Sequence, residues 1–99
     1  MVFEAKKTGI PDEVVKDVVA RTLRSKVEEL NHKLQEIQKS IGYFERKYGM
    51  KTAEFYGTFT RGEAGDAMDF FEWKALKELN DELTETFLLK KKALAKNQL

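Results

Sequence analysis

The chain has 99 residues, with 18 basic and 17 acidic side chains for a net charge of +1, 41% hydrophobic and 11% aromatic residues, and no cysteine. That length sets one small domain whose folding covers only about two-thirds of the surface of the unfolded chain, the aromatic content argues against disorder, and the near-zero net charge gives no general attraction to nucleic acid. The lack of cysteine removes disulfides, thiolate metal sites and cysteine nucleophiles.

Residues 1–10 show no period and are left as an unassigned arm. Glu4, Lys6 and Lys7 break up any signal-peptide core. No apolar run downstream approaches the roughly 20 residues of a membrane span, so a cytoplasmic location is the expectation. Pro11 followed by Asp12 and Glu13 opens a helix, because proline in the first turn gives up no useful N–H and the acids oppose the positive end of the helix dipole.

From residue 20 to 48 the small and apolar side chains fall at Ala20, Leu23, Val27, Leu30, Leu34, Ile37, Ile41, Phe44 and Tyr48. This alternation of three and four keeps one seam turned toward a partner helix. A helix over residues 11–48 would be roughly 57 Å long, too long for a small globule to enclose. Leu23, Val27, Leu30, Leu34, Ile37, Ile41 and Phe44 are therefore expected to form an oligomer seam, with a dimer as the simplest assembly. Upstream, Val14, Val15, Val18 and Val19 widen the apolar stripe, although β-branched residues weaken helix propensity there. Gly42 costs about 1 kcal/mol against alanine and marks a close approach or a bend.

Gly49 stands where a left-handed residue ends a helix, behind Arg46 and Lys47 in the last turn. Thr52 is then the expected cap of a short helix reaching residue 60, in which Phe55, Tyr56 and Phe59 share a face. The alternation Phe55, Gly57, Phe59 is the competing strand pattern; the i, i+4 spacing favours the helix. Gly62 and Gly65 punctuate a turn, with Asp66 expected as the cap of a second long helix over residues 66–97 and Asp69 at its third position. That helix carries Phe70, Trp73, Leu76, Leu79 or Asn80, Leu83, Phe87 and Leu94 on a broad face. Its register drifts after Leu83, where Thr86 and Lys90 occupy positions a strict heptad would fill with apolar residues, and the tail after Leu89 is expected to fray. The fold class is all-α: a long helical hairpin of coiled-coil character with a short connecting helix.

Charge is unevenly spread. From Glu54 to Glu85 nine acids stand against three bases, a local charge of −6, and Lys90, Lys91, Lys92 and Lys96 follow. The basic tail reads as dipole complement and solubility rather than a phosphate contact, so nucleic acid is an unsupported partner. Glu63, Asp66, Asp69 and Glu72 are spaced as the Mg²⁺ ligands of helical nucleotide pyrophosphohydrolases would be. Such enzymes need a second acidic pair on the facing helix, and Glu28, Glu29, Glu36 and Glu45 lie off the seam. His32 is the only histidine and falls among solvated polar residues, which leaves neither a zinc site nor a Ser–His–Asp arrangement. No enzyme activity, metal or cofactor is expected.

The residues Phe44-Glu45, Lys47-Tyr48-Gly49-Met50, Glu54-Phe55-Tyr56, Phe59, Gly62-Glu63, Gly65-Asp66, Asp69-Phe70-Phe71-Glu72-Trp73 and Ala75-Leu76 resemble a family of short helical prokaryotic proteins, widespread in archaea and commonly encoded beside small toxins. The resemblance covers about a third of the chain. It implies an antitoxin that binds and silences a small, RNase-like toxin, with Phe55, Tyr56, Phe59, Asp66, Asp69, Phe70, Phe71 and Trp73 as contact candidates. The alternative is a coiled-coil scaffold or prefoldin-like holding protein, which would prefer β-hairpins near Gly62 and Gly65.

Overall fold

A computed structural model describes residues 9–97. Three helices account for nearly all of them: α1 (Asp12–Tyr48), α2 (Thr52–Thr60) and α3 (Met68–Asn97), with no strand among the described residues. The first eight residues of the N-terminal arm lie outside this description.

Pro11 takes the N-cap position of α1, one residue before its expected place, and its carbonyl accepts the backbone N–H groups of Val14 and Val15 at 3.0 and 3.2 Å. At the far end Gly49 is left-handed (φ 62°, ψ 36°), and both its N–H and that of Met50 turn back to the Glu45 carbonyl. This closure satisfies carbonyls that the helix end would otherwise orphan. It turns the chain sharply enough for α2 and then α3 to fold back along α1.

The two long helices run antiparallel. Tyr48 at the end of α1 meets Asp69 at the start of α3, while Gln38 and Ile41 lie level with Asn80 and Asp81. Leu30, Leu34, Ile37 and Phe44 are buried, and Leu23, Val27 and Ile41 are half-buried. The seam predicted from spacing is real, but a helix of the same chain covers it. The buried members Leu30, Leu34, Ile37 and Phe44 are therefore unavailable to a second copy, and there the expected oligomer seam serves as the hairpin seam. On α3 the facing side chains are Trp73, Leu76, Asn80, Leu83, Phe87, Lys90 and Leu94, all buried or half-buried, whereas Leu79 is exposed. Asn80 rather than Leu79 takes the inner position, with its Oδ1 buried. Lys90 keeps the spacing because its methylene stem can cover apolar surface while its ammonium reaches water. The helix accordingly continues to Asn97, past Leu89 where the tail was expected to fray.

Gly42 does not mark a close backbone approach. A methyl group added there would meet only the guanidinium of Arg46, at 3.2 Å, and a flexible side-chain end can swing away. Gly42→Ala is thus expected to stabilise the chain by about 0.5–1 kcal/mol, the usual helix-interior penalty of glycine. A thermal melt would show a midpoint several degrees higher, and a lowered one would mean that the glycine is structurally required.

Candidate protein-binding face

The head of the hairpin is an aromatic cluster. Phe44, Phe55 and Trp73 are buried, with Tyr48, Met50, Phe59, Ala64, Phe70 and Leu76 packed round them. Trp73 lies parallel to Phe55 with ring centroids 3.9 Å apart, and Phe44 and Tyr48 flank it at 5.8 Å. Trp73 has no exposed surface and Phe55 has 2%. Neither can touch a partner in this fold, which corrects their place among the contact candidates: α2 folds onto the hairpin and takes both into the core.

Polar bonds lock the three helices together around this cluster. Trp73 Nε1 donates to Thr52 Oγ1 at 3.0 Å, and Thr52 donates through its hydroxyl and its backbone N–H to the Glu45 carboxylate at 2.9 and 2.8 Å. Thr52 is the first helical residue of α2 rather than its cap, since Lys51 holds the N-cap position without a side-chain bond. Glu45 of α1 does the capping instead, and the Thr52 backbone and hydroxyl bonds hold its carboxyl below the ordinary range.

Asp69 has a comparable role at the start of α3. Its Oδ2 accepts from Lys47 Nζ at 2.6 Å and from Tyr48 Oη at 2.5 Å. The Lys47 bond, with Tyr48 second, lowers the Asp69 carboxyl, and the same carboxylate raises both Lys47 and Tyr48. The helix begins at Met68, so Asp66 is not its cap. Asp66 stays exposed while Asp69 points at α1. A lowered carboxyl contributes stability that is complete above its unfolded value and is lost as pH falls through the folded one. The raised Lys47 and Tyr48 contribute stability that is present below their unfolded values, about 10 for each, and lost as pH rises through the folded ones. Stability should therefore be flat across neutrality and fall on both sides. In Asp69→Asn both limbs should be shallower when melting temperature is followed from about pH 3 to 11; limbs as steep as in the unaltered chain would show that these three groups do not set them.

The remaining candidates divide between inside and outside. Phe70 packs on Phe55 and Tyr48. Tyr56 is half-buried, donates to Glu78 at 2.8 Å and carries the Lys77 ammonium 4.7 Å above its ring. Phe59 is half-buried with its ring edge-on to Phe71, centroids 5.3 Å apart. Phe71 itself is 50% exposed.

Phe71 belongs to an array that the sequence reading did not single out. Met68, Phe71, Ala75 and Leu79 are all exposed and, at 100° per residue, share one face of α3 turned away from α1. Met68 is 82% exposed. Exposed Glu72, Glu78 and Glu82 border this face, and Glu78 is held by Tyr56 and Lys74. The i, i+3, i+7, i+11 spacing was present in the sequence, but a stripe containing Ala75 is faint beside the stronger inner stripe. Of the acids spaced as Mg²⁺ ligands, Asp69 is turned to α1 and Glu63 pairs with Arg61, and among the described residues no three acidic or histidine groups converge. His32 is exposed, as expected.

Fold and surface together define an all-helical chain in which two long helices pack against each other under an aromatic head and an apolar, acid-bordered face is left in solvent. No helix among the described residues is long and apolar enough to cross a membrane. No protein family, characterised protein or solved structure matches the chain.

Proposed function

We propose that this chain is an antitoxin-like protein that binds and neutralises a small, basic, RNase-like toxin through the outer face of α3. The observation that carries this reading is the exposed stripe Met68, Phe71, Ala75, Leu79 with its acidic border. An apolar centre with a charged rim is the anatomy of a specific protein interface, and solvent-exposed Met and Phe side chains in one row invite coverage. The local charge of −6 suits a cationic partner such as a protein that grips RNA, because complementary potential speeds encounter and rejects acidic competitors. In this reading the α1–α3 pair is a coiled-coil-like scaffold, supported by the three-and-four spacing on both helices. Its rigidity keeps the binding face straight.

The direct test is co-expression with the product of the neighbouring reading frame. A neighbour that arrests growth alone, is harmless in company and co-purifies with this chain would support the reading; a neighbour harmless by itself would overturn it. The competing reading, a scaffold or holding protein, draws on the exposed valines at the open end of the hairpin. A prefoldin-like chain would prefer β-hairpins near Gly62 and Gly65, and among the described residues there is no strand: Arg61 and Gly62 form a turn and Ala64 a bend.

A further inference from the structure

Residue 10 and the first turns of α1 carry a second apolar face. Ile10, Val14, Val15, Val18, Val19 and Leu23 line an open groove of about 450 Å³, and Val18 is 55% exposed. With 37 residues against the 30 of α3, and with the two helices level at the head, α1 projects beyond its neighbour here. Projection alone does not account for the exposure. At 100° per residue the valine stripe is centred roughly 140° round the helix from Ala20, Leu23 and Val27, so a longer α3 would not cover it.

We infer that this face is the docking surface for a second copy of the same chain, paired antiparallel through residues 10–23. The pattern is self-complementary on inversion. Turned about the midpoint between Lys16 and Asp17, Val15 comes level with the second copy's Val18 and Val14 with its Val19, so apolar layers lie level with apolar layers. Pro11, Val15, Val18 and Thr22 form the central line with 4-3-4 spacing, which suits antiparallel knobs-into-holes contact.

Charge selects the same occupant and the same direction. Asp12 and Glu13 stand at one end of the segment and Arg21 and Arg24 at the other, with Lys16 and Asp17 between, for a net charge of zero over residues 10–24. Antiparallel pairing sets the acidic turn of each copy level with the basic turn of the other and opposes the helix dipoles. Parallel pairing would stack acid on acid and base on base. The patch is about 20 Å long and one helix wide, at the lower end of specific interface sizes, which suits a reversible association. The inference does not depend on the antitoxin reading, because the groove lies at the opposite end of the molecule from Phe71.

The experiment is light scattering on the full chain after size exclusion, over roughly 5–500 µM to bracket that association, together with small-angle X-ray scattering. The expected result is a reversible monomer–dimer equilibrium. Two rods of 60 Å overlapping by about 20 Å give a dimer about 100 Å long. Val15→Asp combined with Val18→Asp should leave a monomer at every concentration with unaltered circular dichroism. Val18→Ala, which cannot disturb the fold, should weaken association several-fold. A chain that stays monomeric throughout, a dimer of about 60 Å, or a dimer untouched by Val18→Ala would overturn the proposal.

Discussion

Trp73→Ala should be the most destabilising single truncation in the chain, removing about half of its folding free energy. Truncating a buried aromatic residue costs about 3–5 kcal/mol, against a total of roughly 5–10 kcal/mol for a domain of this size. The cost should fall at the upper end because Trp73 sits where three helices meet. It stacks on Phe55, lies between Phe44 and Tyr48, and donates the bond that ties α3 to Thr52 and so to Glu45. Its loss empties the cluster and leaves the Thr52 hydroxyl without that donor. Trp73→Phe should retain much of the stacking area while losing the hydrogen bond, and should fall between the two. Denaturant unfolding followed by circular dichroism would measure the series. A loss below about 1.5 kcal/mol in Trp73→Ala would mean that the aromatic head does not hold the hairpin together, since even modest core truncations exceed this.

The second large effect concerns binding. Met68→Ala with Phe71→Ala should weaken association with a cognate toxin by at least about 30-fold, the roughly 2 kcal/mol that defines an interface anchor. Stability should change little, since Met68 is almost wholly in solvent and Phe71 gives up only its edge contact with Phe59. Calorimetric titration alongside a thermal melt separates the two. Unchanged affinity in a folded variant would remove the outer face of α3 from the proposed interface. This pair is a sharper probe than any change at Trp73, whose loss would weaken binding simply by destabilising the fold.

Local pattern carried much of the architecture. The 3-4 alternation from Ala20, the end at Gly49 and the i, i+4 placement of Phe55 and Phe59 were each legible because the determining interactions lie within a few residues. What escaped was set by contacts between residues distant along the chain. Nothing near Trp73 reveals that α2 returns to cover it, so an aromatic residue beside a turn resembled a surface anchor. Asp69 resembled a helix-start acid because Lys47 and Tyr48 are 22 and 21 residues away. The seam was read correctly as needing a partner helix and assigned to a second chain, because periodicity specifies that a face is covered and not by which chain. Asn80 took the inner position over Leu79 because register round the helix outranked side-chain polarity, which left Leu79 on the outer face.

Burial along the hairpin falls off toward its open end, although Ile41 near the head is already only half-buried. Phe44 and Trp73 at the head are sealed, Leu34 and Leu30 remain buried, and Val27 and Leu23 are only half covered. Amide protons should therefore exchange fastest in the first turns of α1 and slowest near the head, because opening can spread from the free end without breaching the aromatic head. The molecule then behaves as a clasp hinged at one end. Whatever engages the loose end acts on the part of the chain with the least stability of its own, and so has the greatest leverage on how long the clasp stays shut.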